Sequence, residues 1–269
     1  MAGLTLDVIL QGPIAGDTYK YAQSYLEVPD VKRVIISTWK GQPELQETDR
    51  LKVIYSDDLA NPGQNNRNRQ IFSTQKGLEQ CSDFDTLVVK TRTDQHIRGH
   101  SWETMKRYFM ANYKIEEKFL DGTGPKGAIF AIGLYTKFVF HPQDHLFMGF
   151  REDMDALFGL PLDPVLPVNI ENPADNVGTY SDWAHQDLRP NAYIGMHYYA
   201  RFDEHIQHMV DNFQEYIVDE AVCREEALAA DKEFRDKIFK VFPPLDVWWG
   251  KHHRTYPYEW GAPFSEYHA

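Results

Sequence analysis

Short apolar runs alternate with polar, helix-compatible stretches through the first half of the chain, and this rhythm restricts the available folds more than any other feature. Leu4 to Leu10 is β-rich and ends in Gln11-Gly12-Pro13; Val34 to Ser37, Leu51 to Tyr55 and Thr86 to Val89 follow. Such runs suit central parallel strands covered on both faces. Between them Tyr19 to Leu26 and Arg67 to Leu78 read as helices. The second follows the breaker Asn61-Pro62-Gly63 and is predicted to be capped by Asn65 or Asn66. The pattern predicts an α/β fold, a doubly wound, Rossmann-type sheet flanked by helices. Ligands of such sheets sit beyond the carboxyl ends of the strands, so Gln11, Asp57 and Asp94 are expected on one rim.

At 269 residues, the chain is long enough for one large α/β domain, or a domain with an appendage. Its net charge of -12 argues against a nucleic-acid partner, because neutralising phosphates needs a basic face. Any phosphate site must therefore be local. Two cysteines, Cys81 and Cys223, build neither a disulfide framework nor a cysteine zinc site. No basic leader precedes an apolar stretch, and no apolar run approaches the ~18 residues of a membrane helix. The expected setting is cytoplasmic.

The second half is less regular. Ala128 to Phe140 reads as one or two strands, Arg151 to Phe158 as a short helix, and Leu160 to Val177 as a Pro/Asn-rich loop. Ile206, Met209, Val210, Phe213 and Ile217 recur at helical spacing. The expected organisation is a domain over 1–200 and a C-terminal helical and aromatic extension over 201–269, packed on that domain.

Gly122-Thr123-Gly124-Pro125-Lys126-Gly127 has the spelling of a dinucleotide loop but the wrong context, since a strand follows it where a helix should. A plain turn is the better reading. The signatures of P-loop ATPases, zincins and serine hydrolases do not occur.

Three polar clusters carry the chemistry. In Lys90-Thr91-Arg92-Thr93-Asp94-Gln95, a period of two puts Lys90, Arg92 and Asp94 on one face. Two cations then point toward a diphosphate, while Asp94 holds a divalent metal, Mn²⁺ or Mg²⁺, or a sugar hydroxyl. The alternative is an internal ion-pair ladder. In Asn65-Asn66-Arg67-Asn68-Arg69-Gln70, a helix start faces the same rim and attracts phosphate. Arg67 and Arg69 lie about 200° apart around the helix, so at most one faces the ligand, with Arg69 preferred; the alternative is a solvated, capped helix start. In His141-Pro142-Gln143-Asp144-His145, Asp144 is a candidate general base flanked by imidazoles. The competing readings are a helix N-cap, ordinary half-buried histidines, and a zinc site short of a fourth ligand.

Gln11-Gly12-Pro13-Ile14, Ser37-Thr38-Trp39, Asn61-Pro62-Gly63, Asn66 to Ile71, Lys90 to Asp94 and His141 to Gly149, in that order, resemble the WavE family of glycosyltransferases of bacterial lipopolysaccharide and capsule synthesis. The resemblance covers roughly residues 4 to 200. It implies a GT-A-like fold, a nucleoside diphosphate sugar donor and a saccharide or glycolipid acceptor. The chain has Asn61-Pro62-Gly63 where the family usually has Asp-Pro-Gly, Pro190-Asn191 for Pro-Glu, and Thr93-Asp94-Gln95 where GT-A enzymes usually carry Asp-x-Asp. On this reading Gln11, Gly12, Arg67, Arg69, Lys90, Arg92 and Asp94 bind the donor, Asp94 also holds the metal, and Asp144 is the base of an inverting transfer. The rival readings are a nucleotidyltransferase and a carbohydrate-binding protein without catalysis.

Overall fold

A computed structural model describes residues 5–82, 86–115, 125–133, 140–164, 190–211, 229–235, 237–243, 245–249 and 252–256. Strands β1 (Leu6–Gln11), β2 (Val31–Trp39), β3 (Leu51–Ser56) and β4 (Leu87–Arg92) are joined by parallel pairing in the order β3-β2-β1-β4. The apolar runs of β1, β2 and β4 are explained by two covered faces, whereas β3, at the edge, buries only Leu51 fully. Ile9, Ile35 and Val88 enter one core with Ile71 and Leu78 of α2 (Arg67–Leu78) and Met154, Leu157 and Phe158 of α4 (Arg151–Phe158). The alternate residues Val8, Leu10, Ile36 and Val89 enter the other core. There they meet Tyr21 and Tyr25 of α1 (Thr18–Leu26) and Trp102, Met105 and Phe109 of α3 (Ser101–Asn112). Each such side chain contributes roughly 1.5–3 kcal/mol by burial.

Beyond β4 the sheet becomes mixed. β7 (Leu146–Phe150) pairs antiparallel with β4 and with β6 (Ile129–Ala131), and β8 (Phe239–Val241) closes the order β3-β2-β1-β4-β7-β6-β8. This is the expected mixed α/β sheet flanked by helices. A second, antiparallel sheet joins β5 (Gln95–Ile97), β9 (Leu245–Trp249) and β10 (His252–Tyr256).

The helices α2 and α4 have the bounds read from the sequence. Of the strands expected over 128–140, β6 is described, and 134–139 lie outside the described residues. The Pro125–Gly127 part of the glycine-rich turn leads straight into β6. Two more helices, α5 (Pro190–Ala200) and α6 (Glu204–Asp211), cover the first core with the helical stretch 229–235. Among the described residues beyond 200, the chain also supplies β8 to the central sheet and β9 and β10 to the small one, while Phe213 and Ile217 of the expected helix lie outside the described residues. The Trp-rich tail offers no helical period, and β8 and β9 find partners more than 100 residues away, in β6 and β5, while β10 pairs with β9.

Candidate functional site

The site follows from the one strand that runs against the others. β4 is parallel to β1, so its carboxyl end, at Arg92, lies beside Gln11. β7 is antiparallel to β4 in the register Thr91↔Leu146, so the residues just before β7, Asp144 and His145, lie at that same end. The cluster Lys90 to Asp94 and the cluster His141 to His145 thus meet.

Arg92 sits between two carboxylates. Its Nε and one terminal nitrogen donate to the two oxygens of Asp94, at 2.9 Å each, and its other terminal nitrogen lies 3.9 Å from Asp144 Oδ2. Nε2 of His145 lies 3.7 Å from Asp144 Oδ1. Burial pushes the Asp144 carboxyl up, but His145, Lys90, Arg92 and His141 outweigh it and hold Asp144 below the usual carboxylate range.

Lys90 departs from its expected role. It is fully buried, its ammonium donating to the Asp144 carbonyl oxygen at 2.7 Å and lying over the Phe147 and Phe158 rings, 5.6 and 5.9 Å from their centroids. Burial brings it down to about 8, against the opposing pull of Asp144. The period of two does put Lys90 on the face of Arg92, but one pleat deeper, under the rim. Lys90 supports the Asp144 loop from below; it does not reach toward a diphosphate.

Gln11 ends β1 at the rim, paired in register with Arg92. Gly12 follows at φ 127°, where a Cβ would be strained and would meet Thr93 Oγ1 at 3.1 Å. This close approach ties two loops: Thr93 Oγ1 donates to the Pro13 carbonyl at 2.6 Å, and Thr18 Oγ1 to the Thr93 carbonyl at 2.9 Å.

The α2 cluster also departs from expectation. Arg67 is wholly buried, its guanidinium 2.6 Å from Asp163 Oδ2 and stacked over the Tyr193 ring. It therefore does not face a donor. Arg69 is on the rim, but Asp58 takes it in a two-pronged ion pair. Asn65 and Asn66 adopt left-handed backbone and Asn66 makes no side-chain cap; the second and third amides of α2, at Asn68 and Arg69, donate to the Pro62 carbonyl. With those amides engaged, the helix start is not an open phosphate cradle. Asp57 follows β3 on the rim but pairs with Lys40 at 2.8 Å. The sequence reading missed Asp58 and Asp163, and nothing in their local sequence marks them as the arginines' partners.

Both Asp94 oxygens accept from Arg92, so a divalent cation at Asp94 would share the carboxylate with that guanidinium. Among the described residues no group of three His, Cys, Asp or Glu could hold a metal ion, His141, Asp144 and His145 included.

Residues 6–206 match the family model described as WavE lipopolysaccharide synthesis. The chain belongs to that family. No match to a curated protein is found. Among solved structures, this family member is similar to a Drosophila β-1,4-galactosyltransferase 7 variant in complex with manganese, UDP-Gal and xylobiose. That similarity stands at 11% identity and a TM-score of 0.26, over 57% of this chain and 52% of that one. The chain thus spans about half the length of that protein, and a likeness at this level carries no argument about the site. Among the described residues no helix is long and apolar enough to cross a membrane.

Proposed function

We propose that this WavE family member transfers a glycosyl group from a nucleoside diphosphate sugar to a saccharide acceptor of surface polysaccharide, with inversion. The observation that carries the reading is the Arg92 guanidinium between Asp94 and Asp144, at the strand ends where ligands of such sheets bind. Asp144, ionised and half-buried, takes the proton of the acceptor hydroxyl. The acceptor oxygen then bonds to the anomeric carbon from the face opposite the diphosphate, and the carbon–oxygen bond to the diphosphate breaks, its electron pair leaving with the nucleotide. Arg92 offsets the charge that builds on that leaving group.

Asp144, held below the usual carboxylate range by His145, Lys90, Arg92 and His141, is a weak base in the free protein. A bound diphosphate brings negative charge and draws Arg92 to itself, and both effects raise the basicity of Asp144. Donor binding thereby prepares the base. The backbone of Gln11 and Gly12 and the Asp94–Arg92 pair frame the donor; Lys90 and Arg67 support the site from inside.

The test is release of nucleoside diphosphate from a panel of UDP-, GDP- and ADP-sugars, with and without oligosaccharide acceptors. The reading expects release that Asp144→Asn abolishes. Binding without release points instead to a carbohydrate-binding protein, and release of pyrophosphate from a nucleoside triphosphate and a sugar phosphate to a nucleotidyltransferase.

A further inference from the structure

Phe140 has φ 52°, a left-handed backbone that a bulky aromatic residue rarely adopts. It stands four residues before Asp144, at the head of the turn that carries the base. Conformations of this kind cost roughly 1–3 kcal/mol and persist only where the surroundings over-determine them, and they gather at active sites.

Three contacts over-determine this one. The Phe140 amide donates to Asp231 Oδ1 at 2.7 Å, and Asp231, almost fully buried, is held in turn by Arg235 at 2.7 Å. The Phe140 carbonyl oxygen lies so close to α5 that a Cβ on Gly195 would overlap it, and Pro142 packs on the same glycine. The Phe140 ring is buried against Tyr199 and Phe234, with centroids 5.9 and 5.7 Å away. Downstream, the Gln143 amide donates to the Gly133 carbonyl at 2.9 Å, and Lys90 holds the Asp144 carbonyl. The turn is therefore gripped at both ends, by Asp231 at Phe140 and by Lys90 at Asp144.

We propose that Asp231 is a positioning residue for Asp144: its carboxylate holds the left-handed turn at Phe140 and so fixes where the base stands against Arg92. Asp231 lies outside the matched region 6–206, so the C-terminal part of the chain contributes to the site as well as to the core. A hydrogen bond from an amide to an ionised, buried carboxylate is roughly twice as strong as a neutral one, which suits it to holding a strained turn. This inference rests on Asp144 acting as the base.

The experiment compares Asp231→Ala, Asp231→Asn and Asp144→Asn in donor turnover and in thermal stabilisation by UDP, GDP or ADP, whichever the hydrolysed donor releases. Arg92 and Asp94 belong to β4 and not to the turn. The expected result for Asp231→Ala is therefore a kcat loss of about 10²-fold, the scale set by an ~1 Å misplacement, with KM and the nucleotide-induced shift unchanged. Asp231→Asn keeps an acceptor oxygen and is expected to recover much of the rate. Amide exchange of the parent protein gives a second measure, independent of whether Asp231→Ala folds: the Phe140 amide is expected among the slowly exchanging ones, and exchange at the rate of an open loop overturns the proposal. Parental kcat in a folded Asp231→Ala, beside an inactive Asp144→Asn, overturns the positioning role alone. Parental turnover in Asp144→Asn overturns the base, and the positioning role with it, and leaves only the exchange result standing as a fact about the turn.

Discussion

The ammonium of Lys90 donates to the backbone carbonyl of Asp144, a residue 54 positions further along the chain, at 2.7 Å. A buried charge with a backbone partner acts on the loop it holds. Lys90→Met, similar in length but unable to donate, is expected to lower kcat at least about tenfold while nucleotide affinity stays as in the parent, because the geometry of a base is more sensitive than binding. A diphosphate ligand would behave in the opposite way. Weaker nucleotide binding with an unchanged kcat in Lys90→Met sinks this account.

Arg92 is the cation expected to meet the donor. A nucleoside diphosphate that binds only the folded protein stabilises it by RT ln(1 + [L]/Kd), about 2.7 kcal/mol at a hundredfold excess over Kd. Arg92→Ala is expected to remove most of that thermal shift, and Arg67→Met to leave it intact. A melting curve for Arg92→Ala that responds to nucleotide like the parent's places the diphosphate elsewhere.

Burial raises and His145, Lys90, Arg92 and His141 lower the Asp144 carboxyl, which ends below the usual carboxylate range. The acid limb of kcat/KM, which reports the free protein, is then expected below the ordinary aspartate value of about 3.9. With the donor bound, added negative charge moves the limb of kcat to higher pH. The linked stability has the sign of a depressed carboxylate: present above the unfolded pKa and lost as pH falls through the folded one. An acid limb of kcat that coincides with that of kcat/KM contradicts preparation of the base by the donor.

Arg67 and Asp163 form a buried pair, with Asn68 and Asn61 also bonded to the Asp163 backbone. Removing one partner leaves a buried charge uncompensated, which costs roughly 3–5 kcal/mol. Asp163→Ala should therefore lower the melting temperature strongly. Arg69→Ala, losing a solvent-accessible pair with Asp58 from a half-buried position, should change it little, by at most ~1 kcal/mol. Similar small shifts for both would mean that the Asp163 loop is not seated on α2.

Because Arg92 already holds both Asp94 oxygens, a divalent cation bound there would share the carboxylate with a guanidinium of the same sign of charge. Treating the protein with EDTA is expected to leave nucleotide binding unchanged. Binding lost in EDTA and restored by Mn²⁺ would show that a cation takes part despite the neighbouring guanidinium.

The strands β1 to β3 and the helices α2 and α4 were legible because each is specified locally, by apolar runs or by helical spacing between breakers. β4 runs on through Arg92, as the period of two across Lys90 and Arg92 anticipated, but the burial of Lys90 was not legible because the rings and carbonyl that take it up come from segments far along the chain. The meeting of Asp94 with Asp144 was guessable only as chemistry, since the antiparallel β4–β7 register that produces it is not written in either segment. Likewise the arginines of α2 were visible, but the acids that claim them, Asp58 and Asp163, come from separate loops.

β8 shields an edge. Ile129 donates to the Ile238 carbonyl and Phe242 to that of Ala131, so the outer side of β6, an Ile-Phe-Ala strand with no exposed residue, is occupied by chain that follows position 237. A fragment trimmed to the 206 residues where the family match ends would open that ladder on a flat, apolar, uncharged strand, a ready template for a second copy. Self-association of such a fragment would then reflect the cut rather than the native protein, and a shortened version meant to stay monodisperse must run past Phe242.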